Sequence, residues 1–329
     1  MRIGAFCSGG DAPGMNACVR AVVRRAVSEG HEVVGIHRGY QGLLDEDFFI
    51  NLAGDAKMVL RSVSDWSRLG GARLRSSRSD AFRTLEGQQQ AIANLDKHRI
   101  EALVPIGGDG TFHGAVDLGR QWSGRIVGCP GTIDDDLIGT DFTIGFSTAV
   151  QTAVEAVDKI RDTAESHERM FLIEVMGRHS GFIAVHTALA AGAECVCIPE
   201  TRTDVAAITK QLCALKSRGK SSIMMIVAEG DQEGDVAQLV KQLKAAGNPF
   251  STRCIVLGHL QRGGIPTPED RLLASTVGDF AVESILNGKT GVMAGIVGGH
   301  RHLTPFEETY AEHKPIPPKH LALIERMSN

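Results

Sequence analysis

The sequence predicts an α/β fold made of two Rossmann-like three-layer lobes with mostly parallel sheets. Short β-branched runs alternate with helical patterns along the whole chain, which is typical of parallel sheets covered by helices. The 329 residues are enough for a large core and two compact lobes. The 38 glycines indicate many points where the backbone turns sharply or approaches a ligand closely.

The apolar runs and helical patterns give an order of elements. The predicted strands lie at Arg2–Cys7, Glu32–Ile36, Ala102–Ile106, Arg125–Gly128, Phe171–Val175, Cys195–Pro199, Ile223–Ala228, Ile255–Leu257 and Gly291–Val297. The predicted helices lie near residues 14–29, 111–121, 147–164, 181–191, 204–218, 234–246 and 268–287. A change of pattern near residues 144–147 indicates the crossover into the second lobe.

Composition excludes several classes of protein. The net charge of −4 gives no basic field for nucleic acid. The seven cysteines show neither a CxxC motif nor metal-ligand spacing, which indicates a reducing compartment. The longest apolar stretch, Phe182–Pro199, is interrupted by His186 and Glu194 and predicts a core segment, not a membrane span. With a strand directly at the N-terminus, we expect a cytoplasmic protein that binds no membrane.

Because ligands of open α/β sheets bind at the carboxyl ends of strands, the loops that follow strands deserve most weight. The first, Ser8–Asn16, contains the adjacent glycines Gly9 and Gly10 and leads into a helix. Exposed backbone N–H groups and a helix N-terminus suit a phosphate. A tight turn without a ligand remains the alternative.

The second loop, Gly107–Thr111, holds Asp109 among glycines at a strand end. A carboxylate beside phosphate-binding amides is a place where Mg²⁺ can bridge a nucleotide and the protein. The alternative is an aspartate that only caps the next helix. Similar motifs occur in other kinases, so the loop indicates phosphate chemistry without identifying the acceptor.

The third loop, Pro130–Asp136, ends in three consecutive aspartates. Burying them would require compensating cations, which Mg²⁺ and arginines could supply. One of the carboxylates could accept the proton of an attacking hydroxyl. A solvated acidic turn is the alternative.

The fourth loop, Gly258–Gly264, combines His259 and Arg262 between glycines after a strand. A lone histidine is usually structural. A histidine and an arginine this close together at a strand end favour recognition of an anion.

In this order, the loops resemble those of the bacterial ATP-dependent 6-phosphofructokinases. The resemblance runs from Arg2 to about Val297. Its most specific blocks are Ser8–Asn16, Pro105–Thr111, Pro130–Asp136, His167–Arg178, Gly192–Glu194 and Val256–Gly264. It implies the phosphofructokinase fold, with residues 1–145 plus 258–303 as the ATP-binding lobe and residues 146–257 plus 304–329 as the fructose 6-phosphate-binding lobe.

The resemblance also implies the site residues. Those that hold ATP are Gly10, Tyr40, Arg78, Ser79, Gly108, Asp109, Gly110, Thr111 and Gly114, with Asp109 associated with Mg²⁺. The catalytic set is Gly10, Thr132, Asp134, Asp136 and Arg178, in which Asp134 is the base and Arg178 neutralises the moving phosphoryl group. The residues that bind fructose 6-phosphate are Thr132, Ile133, Asp134, Arg169, Met176, Gly177, Arg178, Glu229, Arg253, His259, Leu260, Gln261 and Arg262.

Two of these arginines, Arg169 and Arg253, match residues that a neighbouring subunit contributes, so the resemblance implies a homotetramer. It further implies an effector site for ADP or phosphoenolpyruvate. The residues of that site are Arg20, Arg24, Arg61, Asp65, Arg161, Gly192, Glu194, Arg218 and Lys220. One family arginine falls on Leu60, next to Arg61, which weakens this match.

The phosphoryl donor follows from two glycines. Pyrophosphate-using relatives carry Asp and Lys where this chain has Gly110 and Gly131. An aspartate at the first position would repel the α-phosphate of a nucleotide, so the glycines favour ATP. A pyrophosphate-dependent enzyme is one alternative. A catalytically silent sugar-phosphate sensor is another, although it would be expected to lack Asp109, Asp134 or Arg178.

Two positions depart from the family. Asp135 stands where asparagine is usual and either raises the pKa of Asp134 by repulsion or points to solvent. Gln88 replaces an arginine near the nucleotide phosphates. Arg73 or Arg75 could supply the missing cation, or both could be exposed surface charges.

Overall fold

The computed structural model describes residues 1–231 and 236–328. The strands are β1 (Arg2–Cys7), β2 (Glu32–Ile36), β3 (Ala102–Gly107), β4 (Arg125–Thr132), β5 (Ile144–Gly145), β6 (Arg169–Val175), β7 (Cys195–Cys197), β8 (Ile223–Ala228), β9 (Ser251–Val256), β10 (Val292–Val297) and β11 (His300–Pro305). The helices are α1 (Met15–Ser28), α2 (Tyr40–Asp45), α3 (Leu85–Lys97), α4 (Asp109–Gly119), α5 (Phe146–Ser166), α6 (Phe182–Ala191), α7 (Val205–Ser217), α8 (Val236–Ala245), α9 (Pro268–Leu286), α10 (Phe306–Thr309) and α11 (Pro318–Ser328). Short 3-10 turns lie at Leu60–Val63, Trp66–Arg68, Ala81–Arg83 and Gly258–Arg262.

The chain folds into two compact units. Unit 1 comprises residues 1–147 and 262–314, and unit 2 comprises residues 148–261 and 315–329. The α/β fold class predicted from the sequence is confirmed, since both units are built on mostly parallel sheets.

The sheet of unit 1 has the strand order β11-β10-β4-β3-β1-β2, with β5 paired to the end of β4. All of these pairs are parallel except β10 with β11. In register, Ala5 of β1 lies between Gly35 of β2 and Val104 of β3. The carboxyl ends of β1, β3 and β4 therefore meet at one edge, and three of the loops chosen from the sequence follow those ends.

Helices cover this sheet through close contacts. Helix α1 packs against α9, and a side chain at Gly278 of α9 would meet the Cys18 carbonyl of α1 at 2.7 Å. Only glycine lets the two helices approach this closely. Phe6, Phe112 and Phe306 are fully buried in the apolar core of the unit.

The sheet of unit 2 has the order β7-β8-β6-β9, with all pairs parallel. Every residue of β8 is buried, which explains its continuous apolar run, because helices cover both faces of a parallel sheet. Strand β9 lies at an edge of the sheet and, unlike β8, is largely accessible to solvent, with Arg253 and Val256 exposed.

Several elements differ from the prediction. The sequence analysis missed α2, α3, α10, α11, β5 and β11. It placed the start of β9 at Ile255 instead of Ser251, and it ended β4 at Gly128, whereas the strand runs to Thr132 and includes the start of the third loop. The edge strands β9 and β11 are rich in polar residues because one of their sides faces water, so they lack an apolar signal. Helix α8 agrees with the predicted helix near 234–246, of which residues 234–235 lie outside the described part.

No helix in the described residues is long and apolar enough to span a bilayer.

Candidate active site

The first two loops of unit 1 are tied together at the sheet edge. The Ser8 amide donates to the Ile106 carbonyl at 3.0 Å, and the Thr111 hydroxyl donates to the Ser8 carbonyl at 3.2 Å. Gly9 has φ +83 and Gly14 has φ +107, conformations that a side chain would oppose. The loop therefore needs glycine at both positions to turn into α1.

Arg262 lies against the first loop. Its Nη1 donates to the Asp11 carbonyl at 3.1 Å, and a Cβ at Gly10 would be 2.5 Å from the same nitrogen. Gly10 is thus a point where the backbone passes close beneath a guanidinium. The sequence assigned Arg262 to the sugar phosphate, and the structure brings it next to a predicted nucleotide loop.

The start of α4 combines open space with a carboxylate. Asp109 is exposed and its Oδ1 accepts a hydrogen bond from the Gly110 amide. A Cβ at Gly110 would meet nothing within 4 Å. The Gly110 amide is engaged by Asp109 and the Thr111 amide donates to the Gly108 carbonyl at 3.0 Å. What this turn offers to an anion is therefore the positive N-terminal end of α4 and the open space at Gly110.

The donor set at this turn fits a Mg²⁺ ion carried by nucleotide phosphates. Such an ion takes one or two protein carboxylates and fills its other positions with phosphate oxygens and water. Asp109 offers one exposed carboxylate, and no cluster of three or more His, Cys, Asp or Glu that could hold a metal occurs within residues 1–231 and 236–328. Asp109 could thus hold the ion only together with the nucleotide.

Gly131 has a different environment from Gly110. A Cβ at Gly131 would lie 2.9 Å from Ile106 Cγ2, 3.0 Å from Met15 Cε and 3.1 Å from the Gly107 amide nitrogen. In this chain, the packing around β3 and β4 already disfavours a side chain at Gly131, because its neighbours would have to shift. Gly110 is free of this packing constraint, so it is the clearer indicator of the phosphoryl donor.

Tyr40 contacts the second loop directly, and Ser79 bonds to Gln41, the next residue in the chain after Tyr40. The Tyr40 hydroxyl donates to the Thr111 carbonyl at 2.6 Å, and its ring stacks on Phe82. A side chain at Gly114 would strike the Tyr40 ring at 2.7 Å. Ser79 donates to the Gln41 side chain at 2.8 Å, while Arg78 is exposed.

The aspartates of the third loop are mostly buried. Asp134 is 3% exposed and Asp135 is 1% exposed, whereas Asp136 is half-buried. The Asp134 amide donates to the Thr132 hydroxyl at 3.2 Å. A fully solvated acidic turn is excluded.

The suggestion that Asp135 points to solvent is wrong. Its Oδ1 accepts from the Thr143 amide at 2.9 Å, and its Oδ2 accepts from Lys314 Nζ at 2.9 Å. Burial raises the pKa of Asp135 to about 7, although Lys314 and the Thr143 amide act to lower it. Lys314 thus provides a cation for the aspartate run, where the sequence indicated only Mg²⁺ and arginines.

Gln88 is buried on α3 and accepts a hydrogen bond from Gln121 at 2.5 Å. Its side chain is committed to packing between helices. Arg73 and Arg75 are both exposed, which agrees with the alternative that they are surface charges.

Asn16 holds the basic segment in place, a part that the sequence analysis missed. It is fully buried at the second position of α1. Its Nδ2 donates to the carbonyls of residues 69, 70 and 71 at 2.9–3.0 Å, and its Oδ1 accepts from the Arg73 amide at 2.7 Å. This one side chain fixes the start of the basic segment 70–78. The available signal was a polar residue among the apolar positions of an amphipathic helix.

In unit 2, loops after β6, β8 and β9 meet at one sheet edge. The Arg178 amide donates to Glu229 Oε1 at 2.8 Å, and the Glu229 amide donates to the Val175 carbonyl at 2.9 Å. The Met176 amide donates to Gln261 Oε1 at 2.8 Å. Five predicted residues are thereby brought together: Met176, Gly177, Arg178, Glu229 and Gln261. His259 and Leu260 are exposed on the turn at Gly258–Arg262.

Arg169 and Arg253 do not reach this edge within the chain. Arg169 begins β6, and Arg253 pairs with Phe171 near the same end of the strand. At about 3.3 Å per residue, Arg169 lies roughly 20 Å along the strand from Met176. One unit 2 therefore offers basic side chains and pocket residues at opposite ends of the same strands.

A cleft of about 410 Å³ on unit 2 contains four of the nine predicted effector residues, Arg161, Glu194, Arg218 and Lys220. Its lining residues are Arg161, Glu165, Glu194, Arg218, Gly219, Lys220, Ser221 and Ser222. Arg161 donates to the Ala191 and Gly192 carbonyls, and Lys220 pairs with the buried carboxylate of Glu194.

Four other predicted effector residues lie on unit 1, while Gly192 lies on unit 2 beside Arg161. Arg20 and Arg24 are one helical turn apart on α1, and their Nε atoms are buried without a hydrogen-bond partner among the described residues. Arg61 and Asp65 are exposed near the short 3-10 turns.

Comparisons with known proteins agree on one family. The family model described as Phosphofructokinase matches residues 2–285. ATP-dependent 6-phosphofructokinase 1 of Thermus thermophilus is 50% identical over 315 residues, covering 96% of this chain and 95% of that protein. ATP-dependent 6-phosphofructokinase of Cytophaga hutchinsonii is 45% identical over 327 residues, covering 99% and 98%.

Solved structures show the same likeness. The phosphofructokinase of Saccharomyces cerevisiae has a TM-score of 0.87 at 35% identity, covering 99% of this chain and 47% of that one, so the chain spans about half of the yeast chain. A pyrophosphate-dependent phosphofructokinase of Marinobacter aquaeolei has a TM-score of 0.80 at 23% identity, covering 97% and 86%. At that identity the likeness concerns the fold alone.

Asn16→Ala is expected to lower the free energy of unfolding by about 1–3 kcal/mol, because buried backbone groups lose their partners. Urea denaturation measures this change. Asn287→Ala, at an exposed position after α9, is the control and should leave the midpoint unchanged. Equal midpoints for the two variants would contradict the part given to Asn16.

Proposed function

The chain belongs to the phosphofructokinase family, and we propose that it transfers the γ-phosphoryl group of ATP to the 1-hydroxyl of D-fructose 6-phosphate. The product would be fructose 1,6-bisphosphate, formed in the committed step of glycolysis. The observation that carries the proposal is the convergence of two glycine-rich loops and the buried Asp134 at one edge of a parallel sheet. The names of the relatives at 45–50% identity support both substrates.

In this proposal, unit 1 is the nucleotide-binding lobe. The N-terminal end of α4, with Gly108, Gly110 and Thr111, would bind phosphate oxygens, and the Gly110 amide would exchange its bond to Asp109 for one to phosphate. Mg²⁺, held by Asp109, would lower the negative charge of the phosphates when bound. The cytoplasmic location stays a prediction from the sequence.

Asp134 would act as the base that accepts the proton of the 1-hydroxyl. The Thr132 hydroxyl, which accepts a hydrogen bond from the Asp134 amide, would hold the loop in place. Asp136 flanks the base. Arg178 would neutralise charge on the moving phosphoryl group. These roles require mainly positioning and electrostatics, as phosphoryl transfer does in general.

Unit 2 would bind fructose 6-phosphate with the residues gathered after β6, β8 and β9. Arg169 and Arg253 would serve the site of a neighbouring subunit, because within one chain they lie at the far end of the strands. The exposed apolar side chains of Val256 (58%) and Leu260 (70%) at this edge support an interface there. We therefore propose a homotetramer with shared sites.

Asp134→Ser is expected to lower kcat by about 10²- to 10⁴-fold while fructose 6-phosphate still binds, because a base acts mainly in the transition state. A coupled assay with ATP or pyrophosphate as donor measures this, and binding is followed by calorimetry. Asp96→Ser, at an exposed position of α3, should behave as wild type.

The same assay tests the function itself. Wild type without kinase activity but with sugar-phosphate binding would indicate a silent sensor, and activity with pyrophosphate alone would indicate the other donor. A Ser variant that keeps most of its turnover would remove Asp134 from the mechanism.

Gly110→Asp should lower kcat/KM for ATP by on the order of 10- to 100-fold through charge repulsion. Gly110→Ala meets no atom and improves helix propensity, so it should retain ATP use. Gly110→Asn adds nearly the same bulk as aspartate without its charge, so its kcat/KM for ATP should lie between those of the Asp and Ala variants. Steady-state kinetics with varied ATP would contradict the account of donor choice if Asp and Ala variants were equal.

The cleft on unit 2 is proposed as part of an effector site for ADP or phosphoenolpyruvate. Saturation curves for fructose 6-phosphate, with and without each effector, should shift in half-saturation more than in maximal rate. The expected coupling is about 1–3 kcal/mol. Arg161→Ala should lose the shift, whereas Lys210→Ala, an exposed cation outside the cleft, should keep it. Identical curves under all conditions would make the cleft a structural remnant.

A further inference from the structure

The loop from Thr132 to Thr143 is closed on itself by hydrogen bonds. The Thr143 hydroxyl donates to the Thr132 carbonyl at 2.6 Å, and the Thr143 amide donates to Asp135 Oδ1 at 2.9 Å. Asp134 lies between the two anchored positions. The backbone geometry of Asp134 therefore depends on how firmly Asp135 is held.

Asp135 is held by a residue far away in the sequence. Lys314 Nζ contacts Asp135 Oδ2 at 2.9 Å and donates to the Asp141 carbonyl at 2.7 Å. One ammonium group thus joins both branches of the loop. The Lys314 side chain is 17% exposed, so the pair is largely shielded from water.

The conformation of Asp135 adds to this constraint. Its φ of +51 lies in the left-handed region, which costs free energy for a residue with a side chain unless its surroundings impose it. The hydrogen bonds from Thr143 and Lys314 are the contacts that hold the side chain in this position.

Charge decides what happens when one partner is removed. A carboxylate at 1% exposure is costly without a cation, and an isolated buried ion is much less favourable than a neutral pair. Without Lys314, Asp135 would either take up a proton or turn towards water. In either case, the loop that carries Asp134 loses the two contacts that Lys314 makes with it.

We propose that Asp135 and Lys314 form a positioning pair, which keeps the Thr132–Thr143 loop in the geometry that Asp134 needs. The catalytic part of this inference rests on the proposed function. The pair is a feature of this chain, because the sequence has aspartate where the family usually has asparagine. Lys314 would then be the partner that makes the charged residue acceptable.

A double-mutant cycle tests the pair. Lys314→Met is expected to lower kcat about 10- to 100-fold, as displacement of a reacting group does, with both KM values within about twofold of wild type. Asp135→Asn should lower kcat less, because Lys314 keeps its hydrogen bond to the Asp141 carbonyl. The double variant should recover kcat to within about threefold of wild type, since asparagine can accept from Thr143 and needs no cation; the remaining difference reflects the donor lost to the Asp141 carbonyl.

Two further measurements separate positioning from stability and from the proposed function. Kinetics are taken well below the melting temperature, with Lys57→Met as a control at an exposed lysine of unit 1. Amide hydrogen exchange at Thr143 should speed up in Lys314→Met and return to the wild-type rate in the double variant, whatever the reaction catalysed.

The outcomes are distinct. A lower melting temperature with unchanged kcat and unchanged exchange at Thr143 in Lys314→Met would overturn the positioning pair. Additive effects in the double variant would overturn it as well. If wild type has no kinase activity, the proposed function fails alone, and the exchange rates still decide whether the pair holds the loop.

Discussion

The burial of adjacent carboxylates at the end of β4 is the constraint on which the arrangement of unit 1 depends. Asp134 and Asp135 are nearly inaccessible, and such groups require hydrogen bonds or cations in compensation. For Asp135 this compensation comes from the nearby Thr143 amide and from the distant Lys314. Asp270 of α9 accepts from the Gly145 amide at 2.7 Å, which holds β5 beside β4 and so places Thr143, just before β5, next to Asp135.

The pocket of unit 2 follows the same geometric rule with different chemistry. Parallel strands again bring loop residues to one edge, but the bonds that fix them are single contacts between a backbone amide and a side chain. Glu229 fixes Arg178 and Gln261 fixes Met176. Each bond joins two loops that follow neighbouring strands, so the strand order determines which loop residues lie together.

Much of this arrangement could be predicted from the sequence, because buried parallel strands have continuous apolar runs and their following loops carry the unusual residues. The edge strands β9 and β11 were shortened or missed, since polar residues on their open side hide the pattern. The site was predictable where a motif is local, as at Gly107–Thr111. It was not predictable where the partner is remote: Lys314 is 179 positions from Asp135, and no local pattern links them. The tight packing around Gly131 was also hidden, because the residues it meets come from other elements.

The order in which a ribosome makes the chain gives this long separation a further consequence. β4 and its aspartates emerge well before Lys314, α9 and β10, so the nascent loop has neither its cation nor its supporting helix. Until then Asp135 stays hydrated or protonated, because burying it as an isolated ion is too unfavourable. A polypeptide cut short before Lys314 would lack the cation that pairs with Asp135 in the folded protein. Completion of the site is thus linked to completion of synthesis.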